Sequence, residues 1–322
     1  MSFPVFDLHC DTALALLGDD LNHAGSLKKN TGHIDLERAG TLAGYCQCFA
    51  CFTTPFMEEW HHLSPTLVFE REIATIQREI DRNKKRIAIA YTPEDVIANR
   101  EKGKMSAILT IEGPAGFGYD PELLESMFLA GFRISTLGWN EHNPLTGSHQ
   151  TGGGLTDLGR EYVRQAQKNG ILVDVSHISD EGFWDIMGMT EAPIIASHSN
   201  SRSICGHSRN LTDDMFRAIR DSGGVAGINL YTDFLGENAS LDTVCDHIFH
   251  FMELDPDGTH IALGGDLDGC ERLPEGFTGI DSYSALAARL MERGLDADTV
   301  SNIYWNNALG VISTALRNNK KF

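Results

Sequence analysis

The sequence is short of positive charge. Lys and Arg number 26 against 45 Asp and Glu, a formal net charge of −19. That deficit argues against nucleic acid or an anionic membrane surface as the partner, since both recruit proteins through clustered cations. It leaves an anionic small molecule open, because one local Arg can dominate a pocket. Long apolar runs are missing too: none approaches the ~20 residues a membrane-spanning helix needs. The N-terminus has no basic n-region and enters a strand-like run almost at once, so no secretory signal is expected. The final TALRNNKKF does not read as a lipid-anchor signal. Cysteine is sparse and odd in number, at seven. Reduced thiols and a cytoplasmic setting are therefore expected. Cys46, Cys48 and Cys51 lie in an apolar run and read as small core hydrophobes rather than a metal cluster. There is no G-x-S-x-G elbow, no P-loop and no G-x-G-x-x-G opening a helix after a strand, which removes the usual signatures of serine hydrolases, nucleoside triphosphatases and dinucleotide enzymes.

What the chain does have is alternation. Its 322 residues, 42% of them hydrophobic, suffice for one large α/β barrel or two ordinary domains. Apolar, β-rich runs recur at Val5–Leu8, Leu42–Phe49, Ala107–Ile111, Arg133–Leu137, Ile171–Ser176, Pro193–Ser197, Gly224–Asn229 and His260–Gly265. Between them lie helical patterns, including Pro65–Asn83, Pro121–Ala130, Leu158–Asn169, Asp180–Met189 and Thr212–Ser222. Ser282–Arg293 and Asp296–Ser313 read as two closing helices. Eight such units predict a (β/α)₈ barrel occupying residues 1–322 as one domain. The irregular stretches Asn140–Thr156 and Asp268–Asp281 follow strand ends, where such a barrel keeps its active-site loops.

The ends of these runs carry the chemistry. The first run leads into His9 and Asp11, two residues apart and so able to aim at one point. The third gives Glu112, the fifth His177, the sixth His198 and the eighth Asp266. Each has an ordinary structural explanation alone: a histidine bonding a loop, a carboxylate capping a turn. Five strands ending in ionisable groups by chance is a poor explanation of the set. Imidazole and carboxylate suit zinc, which in catalytic sites takes about three protein ligands and a water. Five protein groups serve two zinc ions if one carboxylate bridges, and two ions ~3.5–4 Å apart can hold a shared hydroxide and polarise a carbonyl. Asp266 would be left as a general base.

The blocks DLHCD, TIEGP, GGGLTDLGREYVRQAQKNGILVDVSHIS, PIIASHSNSRSICGHSRNLTDD and ALGGDLDG stand in this order. On them the chain resembles the membrane (renal-type) dipeptidases of the amidohydrolase superfamily, from about Phe6 to about Thr314. The resemblance implies a (β/α)₈ barrel with two Zn²⁺ ions and a dipeptide substrate, L-Xaa-D-Xaa included. It implies His9 and Asp11 on the first zinc, Glu112 bridging, and His177 and His198 on the second. It further implies Arg209 on the substrate carboxylate, Asp266 as the acid/base aspartate, Asp268 shaping its loop, and a homodimer. One departure stands out. Renal-type enzymes carry a carbonyl-polarising histidine after the fourth strand; here Trp139 occupies that place, followed by Asn140, and either could donate a hydrogen bond to substrate. His142 reads as an exposed loop residue. The change leaves two alternatives open: an N-acyl amino acid, modified dipeptide or lactone as substrate, or a metal-binding scaffold without turnover.

Overall fold

The computed structural model describes residues 2–18, 21, 25–190 and 192–317. Among the described residues nine parallel strands form one sheet: β1 (Val5–Cys10), β2 (Tyr45–Phe52), β3 (Ile87–Ile89), β4 (Met105–Glu112), β5 (Phe132–Thr136), β6 (Leu172–Asp174), β7 (Ile194–Ile195), β8 (Ala226–Ile228) and β9 (Ile261–Leu263). Eight run in the order β7-β6-β5-β4-β2-β1-β9-β8. A parallel bridge between Ala196 and Ala226 joins the two ends, with the Gly227 N–H donating to Ala196 O at 2.8 Å. The expected (β/α)₈ barrel is therefore the fold. Its strands are buried on both faces, as a sheet enclosed by helices requires.

Sequence and structure differ in three places. The second strand starts at Tyr45 and ends at Phe52, three residues later than its apolar run suggests. The reason is pairing: β2 follows β4 without interruption from Cys46↔Ser106 to Phe52↔Glu112. A ninth strand, β3, escapes sequence reading because three residues carry no periodicity. It pairs with Met105–Ala107 of β4, while β5 takes Leu109–Ile111. Helices outside the expected patterns include Pro93–Glu101 and Leu241–Leu254. The first announces itself by a capping box, Thr92 with Asp95, and Pro93 at its first turn.

The last expected helix is continuous in span but not in pitch. Ala297–Ser301 passes through a π-turn, Asn302–Asn306, into Asn307–Arg317. The wider turn buries Ile303, Tyr304 and Trp305, and Trp305 meets Phe6 of β1 edge-on at 5.7 Å. Cys46, Cys48 and Cys51 are free thiols buried in β2. Among the described residues no helix is long and apolar enough to cross a membrane.

Candidate metal centre and active site

The strand ends converge as their sequence suggests. Glu112 closes β4 and stands between two sets of imidazoles. Its Oε2 lies 3.3 Å from His9 Nε2, and its Oε1 lies 3.1 Å from His177 Nε2 and 3.9 Å from His198 Nε2. Asp11 Oδ2 is 3.4 Å from His9 Nε2, and Asp266 Oδ1 is 3.8 Å from the same atom. His177 and His198 face each other Nε2 to Nε2 at 3.0 Å. His9, Glu112 and His198 form one compact group of donors, and His9, Asp11 and Asp266 another. Both groups share His9, so Asp266 sits closer to the cluster than a residue left outside the ligand set needs to.

Local backbone geometry aims these groups. The Asp11 N–H donates to Leu267 O at 2.9 Å, which ties the end of β1 to the loop after β9 and brings Asp11 beside Asp266. His177 and Asp266 adopt left-handed backbone, φ 72° and 56°, a conformation unfavourable to residues with a Cβ and concentrated at functional sites. Gly113, at φ 72°, lets β4 stop at Glu112: a Cβ there would stand 2.2 Å from Thr53 O.

Hydrogen bonds fix the tautomers. Asp174 Oδ1 accepts from the N–H groups of Ser176 and Ser197, both at 2.9 Å, and Asp174 also accepts from the Ser197 hydroxyl. Ser197 has spent its proton, so it accepts from His198 Nδ1–H at 2.6 Å, leaving the His198 Nε2 lone pair directed into the centre. His177 Nδ1 lies 2.9 Å from Asn140 Oδ1, which leaves its Nε2 lone pair facing inward as well. Metal-ligating histidines are held in this way.

The charges agree with that assignment. Burial pushes the His177 and His198 imidazoles well below their usual range, and the Arg209 charge adds to it, so both rings are neutral. Burial opposes charge on His9 also, but Glu112 and Asp11 outweigh it and hold this ring well above its usual range. Burial and the Glu112 charge raise Asp11 to about 6, and burial raises Asp266 to about 7. Crowded carboxylates and the inward lone pairs of His177 and His198 are what a cation at this point would relieve.

Comparison with known proteins gives this geometry its context. Residues 1–321 match the family model described as membrane dipeptidase, peptidase family M19. The chain belongs to the M19 dipeptidase family. It is 30% identical to an uncharacterized dipeptidase of Schizosaccharomyces pombe over 97% of this chain and 81% of that protein. A metallo peptidase from Rhodobacter sphaeroides, solved with a phosphinate mimic of the dipeptide L-Ala-D-Ala, superposes with a TM-score of 0.88 at 26% identity, covering 98% of this chain and 100% of that one. A second solved M19 metallopeptidase, dipeptidase AC, gives 0.87 at 27% identity over 98% and 99%. The M19 chain is thus a metallo-dipeptidase by family and fold.

In this M19 enzyme a cleft of about 320 Å³ opens over the centre, lined among others by Asp11, Glu112, His177, Asp266, Trp139 and Asn140. Trp139 packs its ring against Phe52 and Trp60, at 5.3 and 5.8 Å, and also against the His177 imidazole at 6.2 Å. Asn140 Oδ1 is committed to His177 and to His149 Nε2, at 2.9 and 3.0 Å. Arg209 lies just behind the cleft wall in a small void shared with His177 and Ser199. It donates to Ser199 Oγ at 2.8 Å, while its Nε and Nη2 are buried without partners. Asp268 shapes its loop, bonding Thr12 Oγ1 at 2.6 Å and the His33 N–H at 2.5 Å. His142 is exposed.

Sequence reading missed the supporting residues. Asn229, at the end of the seventh apolar run, donates to Asp266 Oδ2 at 3.0 Å, and the strand-end rule could have included it. Asp7, buried in β1, accepts from the N–H groups of His9 and Gly265 at 3.0 Å and from the Tyr283 hydroxyl. Asp174, Ser197 and His149 carry no sequence signal that sets them apart.

Proposed function

We propose that the chain hydrolyses dipeptides, L-Xaa-D-Xaa among them, at a binuclear zinc centre. The observation that carries this is Glu112, whose two oxygens divide between His9 on one side and His177 with His198 on the other. His9 and Asp11 would hold one ion, His177 and His198 the other, with Glu112 common to both. When bound, such a pair supplies Lewis acidity that polarises the scissile carbonyl and acidifies water. Support for the L-D preference comes from the dipeptide mimic in the Rhodobacter sphaeroides relative.

The protein's own groups do the rest. The unpartnered Nε–H and Nη2–H₂ of Arg209 receive the substrate carboxylate, whose planar geometry matches the guanidinium. Asp266, steadied by Asn229, takes a proton on Oδ1 and passes it to the leaving amine nitrogen. Trp139 contributes an apolar wall in place of the histidine of renal-type relatives. Chelator-sensitive release of free amino acids from a panel of L-L and L-D dipeptides by zinc-loaded protein tests the proposal. Bound zinc without release from any member would move the assignment to N-acyl amino acids or lactones. The same proposal takes the enzyme to be a homodimer.

A further inference from the structure

We infer that Leu14, Phe52 and Trp139, with Trp60 packed against Trp139, form the subsite for the side chain of the dipeptide's N-terminal residue, and that this subsite selects apolar and above all aromatic side chains. The inference rests on the proposed dipeptidase reading, with Arg209 taking the substrate carboxylate.

Topology sets the substrate's direction. On the closed ring of eight strands β2 and β7 lie four places apart, which is across the barrel mouth. Phe52 is the last residue of β2, and Arg209 follows β7. The donors of β1, β4, β6 and β7 lie between them. A dipeptide with its carboxylate at Arg209 and its scissile bond over Glu112 therefore points its N-terminal residue toward β2.

What waits there is apolar. Beneath Phe52 lies a hydrophobic cluster separate from the main core, built from Leu17, Leu21, Phe52, Met57 and Val68. Leu14 and Trp139 pack on it while only partly buried, and both line the cleft. Trp139 leaves β5 and reaches back to Phe52 in an edge-on contact at 5.3 Å, and Trp60 stands at 85° to it at 5.8 Å. Trp60 remains 46% exposed. Aromatic rings in edge-on array at a cleft offer a further ring an edge or a face to pack on, and offer a carboxylate side chain nothing to pair with. The Arg209 end is aromatic too, with Tyr231 and Phe234 edge-on at 4.9 Å in the cleft lining, but there Phe234 also packs on His207 at 4.7 Å and lies under the Arg209 guanidinium, and the Tyr231 hydroxyl donates to Glu271 Oε2 at 3.0 Å.

The test is kcat/KM of the zinc-loaded enzyme on Xaa-Ala dipeptides with Xaa = Ala, Leu, Phe, Lys or Glu, against the reversed Ala-Xaa series, each with L- and D-residues at the C-terminal position. Phe-Ala and Leu-Ala should exceed Ala-Ala by about tenfold or more, the range that filling an apolar subsite supports. Glu-Ala should fall below Ala-Ala. Trp139→Ala, and independently Trp60→Ala at its exposed position, should shrink the Phe-Ala to Ala-Ala ratio. A flat Xaa-Ala series on an active enzyme, an aromatic preference confined to Ala-Xaa, or an unchanged ratio in both variants overturns the subsite. Failure to cleave any dipeptide overturns the dipeptidase reading itself, and the subsite with it.

Discussion

The amide oxygen of Asn140 lies 2.9 Å from Nδ1 of His177, so the imidazole proton sits on the outer nitrogen and the lone pair faces Glu112. Removing that bond frees the ring to rotate and to change tautomer. Asn140→Ala should therefore weaken zinc binding by about 10–100-fold, the usual cost of losing such a support. Asn140→Asp, which keeps an acceptor oxygen, should retain most of the affinity. Competition with a chromogenic chelator reads both, and equal affinities in all three proteins would show that Asn140 does not hold His177.

Asp266 and the metal donors should separate cleanly. Asp266→Asn keeps the side chain's shape and its neighbour Asn229 but cannot take a proton. Zinc content should stay at the wild-type value, while kcat falls by about 10²–10⁴-fold, the worth of general acid–base help. Wild-type turnover in this variant would remove Asp266 from the reaction.

Arg209 is fully buried with two unpartnered donor nitrogens, beside the charges of Asp266, Asp174 and Glu112. Arg209→Lys keeps the charge but loses the planar fork. Its kcat/KM on dipeptides should drop by about 10²-fold, in line with ~2–5 kcal/mol for a disrupted buried charge pair. Dipeptide amides, which carry no terminal carboxylate, should already be poor substrates of the wild type and change little. A parallel loss on both substrates would point to general damage rather than carboxylate recognition.

Metal binding should expel protons. In the metal-free protein Glu112 and Asp11 hold the His9 ring well above its usual range, and Asp11 itself is raised to about 6. A bound cation needs both groups deprotonated. Zinc binding near neutral pH should thus release roughly one proton from His9, and affinity should fall as pH drops, more steeply once Asp11 also protonates below about 6. Calorimetric titration in buffers of different ionisation enthalpy measures the release. Zero release would mean that His9 is already neutral without metal.

Gly113 offers a stability test away from the donors' own chemistry. It combines φ 72° with a Cβ position 2.2 Å from Thr53 O, so alanine is both strained and obstructed. Gly113→Ala should cost at least ~1–3 kcal/mol, seen as a lowered Tm by thermal denaturation. An unchanged Tm would show that the turn after Glu112 relaxes without cost.

Much of the barrel is legible in the chain. Seven helices announced by 3.6-residue periodicity are present within a few residues of their expected ends, because amphipathic faces must pack on the sheet whatever the tertiary detail. Strand β3 shows the limit. Its three residues carry no period, and its existence depends on β4 supplying hydrogen bonds. The slip of β2 toward Phe52 has the same cause, since register belongs to the pair with β4 and not to either strand alone.

By itself the sequence determined the alternation that closes a barrel and the identity of the ionisable groups, the candidate donors, at its strand ends, because ionisable chemistry is a property of residue type. Tertiary structure alone decided how those donors are used. The Glu112 oxygens divide between imidazoles from different strands, Asp174 reaches the His198 ring through Ser197, and Trp139 packs against both Phe52 and His177. Each depends on side-chain direction across a closed ring of strands. Hydrogen bonds and ring contacts act over a few ångströms between residues far apart in the chain, and no local pattern encodes them.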